Sequence, residues 1–113
     1  MTMSSYVLGF RGRPDRTRQS GEEEAWGAWF GRLGPAITDF GNRVGACRTL
    51  SARQDDDSGG RVLTGYIVIH ADDLDAAVEL ASGCPGLAHG VSVEVAEVAE
   101  VAEVAEVAEV AVS

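Results

Sequence analysis

The stretch VLTGYIVIHADD, residues 62–73, decides the fold. Residues 62–70 are mostly apolar at successive positions, which predicts a strand that is apolar on both faces. The face expected beneath the helices carries Leu63, Ile67 and Ile69. The opposite face carries Val62, Thr64, Tyr66 and Val68, with His70 at its edge. Asp72 or Asp73 then caps a helix, because a carboxylate there accepts from backbone N–H groups of the first turn.

Two helices flank this strand along the chain. The second helix follows the capping aspartates and ends at Gly83, and its expected inner face is Leu74, Ala77, Val78 and Ala81. The first helix begins with Ser20 and Glu23 in a capping box. Its apolar stripe recurs at helical spacing through Trp26, Trp29, Phe30, Leu33, Ile37 and Phe40. The helix is expected to end at Gly41-Asn42, with a kink or break at Gly34-Pro35, since proline cannot donate to the carbonyl four residues back.

Three more strands complete the prediction. Residues 5–10 predict the first, residues 44–51 the second, with Cys47 as a small core residue, and the last runs from Val91 to about Ala96. A loop with three consecutive aspartates, 55–57, precedes the central strand. The order β-α-β-β-α-β is the ferredoxin-like arrangement of an α+β domain. Right-handed crossovers would place both helices on one face of the sheet and leave the other face apolar, which predicts a homodimer.

Charge and composition exclude several classes of protein. The net charge is −9, and residues 97–113 hold five glutamates and no base. Nine arginines against thirteen acids remain elsewhere, and this mildly acidic balance argues against nucleic-acid binding. No segment has the length of apolar sequence that a signal peptide or a membrane span requires, so we expect a cytoplasmic protein that is not bound to a membrane.

A repeated tail is expected to follow the domain. We predict one domain over residues 1–96 and an acidic Val-Ala-Glu repeat over residues 97–113. A period of three fixes no apolar face on a helix and alternates faces on a strand. The tail is therefore expected to lie outside the fold, with a partner-binding role as the alternative.

Several segments resemble the YCII-related family, and the DGPF-type branch common in high-GC bacteria in particular. The similar segments are residues 26–34, 65–69, 71–77, 83–90 and 93–95. The resemblance implies a dimeric α+β barrel and, for a few relatives, activity on small ring-derived acids. In YciI-like members a helical His pairs with an Asp before a proline, whereas this chain has aromatic residues on its first helix and Cys84 before Pro85. The family's acid–base pair is thus not carried over.

Few side chains are candidates for a site. His89, in a loop between helix and strand, is the candidate catalytic residue, with a backbone-bonded loop histidine as the alternative. Arg11 and Arg13 belong to a basic cluster with Arg16 and Arg18 that could meet an anionic ligand, or simply balance Glu22, Glu23 and Glu24. The other ligand-binding candidates are Trp26, His70 and Cys84. The spacing of Cys and His gives no metal signal, and no cofactor is implied.

Two functions remain at this point. The chain either binds or transforms a small organic acid in a cleft of the dimer, or it is a non-catalytic regulatory domain linked to an alternative sigma factor. The resemblance implies the second role, because some YCII-related domains are encoded beside, or fused to, alternative sigma factors.

Overall fold

The computed structural model describes residues 3–48, 50 and 60–99. These residues form an α+β structure with a four-stranded antiparallel open sheet and two α-helices. The elements, in order, are β1 Ser4–Gly12, α1 Glu22–Leu33, a 3₁₀ turn Gly34–Ala36, β2 Ile37–Arg43, β3 Val62–Ala71, α2 Leu74–Ala81, a 3₁₀ helix Pro85–His89 and β4 Ser92–Glu97. None of the helices in this part of the chain is long and apolar enough to cross a membrane.

The sheet has the strand order β2-β3-β1-β4, so β3 and β1 are its two inner strands. Alternate residues of β1 face the core, and Tyr6 and Leu8 pair there with Ile69 and Ile67 of β3. Both helices contribute to the same core cluster, through Trp26, Trp29, Leu33, Ala77 and Ala81. The core therefore lies on one face of the sheet.

The stripe of α1 packs against the turn that follows α2. Trp26 and Trp29 meet edge to face, with ring centroids 5.8 Å apart, and Phe10 stands 5.2 Å from Trp26 in the same geometry. A methyl group on Gly83 would lie 3.1 Å from the Trp29 ring, and one on Gly86 would lie 2.9 Å from Trp26 Cζ2. These two glycines let the turn approach the indoles closely.

The predicted end of α1 was wrong. The helix stops at Leu33, where Gly34 adopts φ +50° and its N–H donates to the Phe30 carbonyl. Ile37 and Phe40 belong to β2, and Phe40 is 70 % exposed there. The second strand was expected at residues 44–51, but the described residues 44–48 and 50 are irregular, and Cys47 is half-buried outside any strand.

A bulge changes which side chains share a face of β3. The pairing passes from Phe10–Gly65 to Arg11–Leu63, so Thr64 is the extra residue. An extra residue reverses the alternation of the residues beyond it. Leu63 therefore lies on the face expected for Thr64, and its Cδ1 is 3.8 Å from where a Gly9 methyl would stand. Thr64 lies on the helix side, 3.9 Å from the corresponding point on Gly12.

No helix among the described residues covers the other face, here called the open sheet face. Its apolar members are paired across three strands: Val7, Leu63, Tyr66, Val68 and Ala96. Ile67 and Ile69 are buried beneath the helices as predicted, whereas Leu63 is not among the buried core residues.

The helix caps follow the sequence prediction in one case only. Asp73 Oδ1 accepts a 2.8 Å hydrogen bond from the Ala76 N–H at the start of α2. Ser20 caps nothing, because Gly21 with φ +80° holds the N-cap position of α1 and no side chain bonds there. On α2, Ala77 and Ala81 are buried, but Leu74 and Val78 are exposed, contrary to the predicted inner face.

The last strand runs one residue beyond the expected end. Tyr6 Oη donates to Glu97 Oε2 at 3.4 Å, and Val98 N–H donates to the Ser5 carbonyl. The aspartates 55–57 and the repeat from residue 100 onward lie outside the described residues.

Candidate ligand groove

A groove of about 1010 Å³ opens on the helix side of the sheet, between α1 and the β2–β3 half. The aromatic side chains that line it on this side of the sheet are Phe10, Trp26, Phe30 and Phe40. Its charged lining consists of Arg13, Arg16, Arg18, Arg43 and Glu23. Four cations thus face one acid, in a chain whose net charge is −9. We call this site the arginine groove.

Glycines keep the groove open. Gly27 on α1 and Gly65 on β3 both line it, so neither wall has a side chain at these points. A methyl group on Gly27 would meet nothing within 4 Å. Trp26 and Trp29 of α1 pack against Gly86 and Gly83. This packing leaves the β2–β3 half of the sheet uncovered where the groove lies.

A buried carboxylate fixes the wall of the groove. Glu22 has no side-chain exposure and pairs with both terminal nitrogens of Arg16, with Arg16 Nη1 to Glu22 Oε1 at 2.9 Å. The carboxylate also accepts from Trp26 Nε1 at 3.0 Å and from the Gln19 N–H at 3.1 Å. The loop before α1 is therefore tied to the helix by one side chain.

These bonds stabilise the charged form of Glu22. The hydrogen bonds from Arg16 hold the pKa of Glu22 far below its usual range, against the opposing effect of burial. Burial raises the pKa of the nearby Cys84 thiol, so this residue stays neutral and behaves as a small apolar group.

A second carboxylate, that of Glu23, is exposed and bridges two arginines that line the groove. Glu23 Oε1 accepts from Arg18 Nη1 at 3.0 Å and from Arg43 Nη2 at 3.4 Å. Arg18 also stacks on Trp26, with its guanidinium carbon 5.2 Å from the ring centroid. The loop, α1 and β2 thus meet through a single carboxylate oxygen.

The sequence-predicted site residues lie in different places. Arg13 and Trp26 line the groove. Arg11 stands 4.0 Å from Glu94, and His70 Nε2 lies 3.1 Å from the Pro35 carbonyl oxygen. Cys84 is buried, and His89 is exposed at the last residue of the second 3₁₀ helix. The structure therefore brings together two of the six candidates.

Sequence reasoning missed Arg43, and it named Glu22 only as one of three acids that could balance the arginine cluster. Glu22 and Trp26 stand four residues apart, which places them on one helix face and is a usable signal. No comparable signal marked Arg43, because it was assigned to the turn before a misplaced second strand. Among the described residues no group of three His, Cys, Asp or Glu is arranged to hold a metal ion.

Comparison with known proteins finds no protein-family model and no curated protein that matches this sequence.

Proposed function

We propose that this chain binds a small organic acid in the arginine groove. The observation that carries the proposal is the lining itself, in which four arginines and four aromatic residues border a space of about 1010 Å³. Guanidinium groups bind carboxylates through paired hydrogen bonds, and aromatic walls suit a ring or another flat apolar body.

Binding is proposed without a chemical step. Neither His nor Cys is among the residues that line the groove, and proton transfer needs a group that titrates near neutrality within hydrogen-bond reach. We propose the site in this groove within one chain, and not in a dimer cleft, because Arg13 and Trp26 both line the groove.

The remaining parts of the proposal concern family and assembly. We propose a cytoplasmic, YCII-related protein with a ferredoxin-like arrangement, which pairs through the open sheet face. Support comes from the quoted sequence segments, the observed element order and the apolar residues of that face.

Benzoate tests the binding proposal, with benzamide as a neutral control of the same shape. We expect benzoate to shift the indole N–H resonance of Trp26, whereas that of buried Trp29 serves as an internal reference. Benzamide should bind at least about tenfold more weakly, since a charge-assisted hydrogen bond contributes roughly 1.5–3 kcal/mol. Equal affinities would exclude recognition of the anion. The absence of any shift across a panel of organic acids would favour the regulatory function instead.

A further inference from the structure

The Glu23 carboxylate occupies the position where an anion would bind best. Its Oε1 atom lies between two guanidinium groups, 3.0 Å from Arg18 Nη1 and 3.4 Å from Arg43 Nη2. Both arginines line the arginine groove. Arg18 belongs to the loop before α1, and Arg43 is the last residue of β2, which follows α1 in the chain. An external carboxylate could make the same two contacts from within the groove.

Breaking the ion pairs of Glu23 with Arg18 and Arg43 costs little free energy. The side chains of Glu23 and Arg43 are 71 % and 74 % exposed, and that of Arg18 is 33 % exposed. Exposed ion pairs contribute roughly 0–1 kcal/mol, because water screens them and two long side chains must be ordered. Glu22, one residue earlier, has no exposed side-chain surface and accepts four hydrogen bonds, so it is not exchangeable in this way.

Arg18 would stay in place after Glu23 leaves. Its guanidinium is stacked on Trp26, and the Trp26 indole is itself held by Glu22. A planar cation fixed on an aromatic face loses little conformational freedom when it binds a carboxylate. The arginine is thus already oriented for a ligand.

We infer that Glu23 is an internal counter-ion that fills the anion position of the groove and is displaced when an organic acid binds. The inference rests on the proposed function and adds the position of the ligand carboxylate, between Arg18 and Arg43. It also means that the resting protein inhibits its own site.

The test compares two neighbouring charge-neutralising variants of the full chain. Glu23→Gln removes the competitor, and benzoate affinity measured by calorimetry should rise about threefold to tenfold, the value of one or two exposed ion pairs. Glu24→Gln makes the same change in net charge one residue away, where the side chain is exposed and forms no ion pair among the described residues. Its affinity should match that of the wild type, and Arg43→Gln should bind more weakly.

The other possible results separate the counter-ion role of Glu23 from the proposed function. Benzoate binding that is unchanged or weaker in Glu23→Gln would overturn the counter-ion role and leave the proposed function standing. An equal rise in both glutamine variants would also overturn it, because net charge alone would then explain the effect. No binding to any variant would overturn the inference together with the proposed function. Since Glu23 is exposed, near-ultraviolet circular dichroism should show that its variant folds.

Discussion

At the residue scale, Glu22 contributes most to local order, and its removal is the first prediction. Glu22→Gln leaves Arg16 without its buried partner and keeps the shape of the side chain. Breaking one side of a buried pair costs about 3 kcal/mol or more. We therefore expect urea unfolding at pH 7 to show a free energy of unfolding lower by about 3 kcal/mol. Glu24→Gln, which is exposed, should stay within about 0.5 kcal/mol of the wild type.

The same pair predicts a dependence of stability on pH. The folded pKa of Glu22 is lowered relative to the unfolded value of 4.5, so its contribution is complete above that pH. As the pH falls below 4.5 the unfolded chain takes up a proton first, and the contribution is progressively lost. The difference in the free energy of unfolding between the wild type and Glu22→Gln should therefore become smaller as the pH is lowered. A difference that stays constant from pH 7 to pH 3 would contradict the assignment.

Residue-scale prediction from the sequence succeeded where the determinant was local. Asp73 was among the two expected caps because its carboxylate reaches an N–H only three residues ahead. The burial of Glu22 was not predicted, because glutamate is rarely buried, its partner Arg16 lies in an irregular loop, and only its four-residue spacing from Trp26 pointed to it.

At the element scale, the two helix starts give a matched pair of substitutions. Asp73→Ala removes the 2.8 Å cap of α2 and should lower the free energy of unfolding by about 1 kcal/mol. Ser20→Ala alters the residue that the sequence predicted as the cap of α1, but Ser20 forms no cap there, so we expect a change within about 0.5 kcal/mol. Thermal unfolding of both variants measures the two effects. A loss from Ser20→Ala as large as that from Asp73→Ala would mean that the start of α1 is capped in solution.

The predicted ends of elements were wrong where the same spacing of apolar residues fitted both a helix and a strand. Leu33, Ile37 and Phe40 have helical spacing, yet the last two lie in β2. The helix ends at Gly34-Pro35, where Gly34 adopts φ +50°, so the break is found there and not the kink, which was the other expectation. In β3 the bulge at Thr64 reversed the faces of the first residues, and a bulge leaves no periodic trace in a single strand.

At the scale of the whole molecule, the open sheet face predicts self-association. Val68 lies on this face and pairs with Val7 of β1. Burying a charge there is costly, so Val68→Glu should give a monomer, whereas we expect the wild type to sediment as a dimer at micromolar concentration. Val78→Glu makes the same change on the exposed side of α2 and should remain dimeric. A wild-type protein that sediments as a monomer would exclude the interface.

The candidate site is formed by several elements that pack together, so little of it could be predicted from the sequence. Arg13 and Trp26 were named because arginine clusters and aromatic stripes are visible in a sequence. The groove itself exists because Gly27 and Gly65 come to face the same space from different elements. That coincidence depends on where the packing of Trp26 and Trp29 sets α1, and no local pattern shows it.

The edge-to-face pair of indoles gives the protein a built-in optical reporter. The chain has two tryptophans, and both lie at the junction of α1 with the turn after α2. Their near-ultraviolet dichroism and fluorescence therefore describe one place in the molecule and not an average over it. Loss of that signal with the far-ultraviolet spectrum intact would show α1 detaching from the turn while the secondary structure persists.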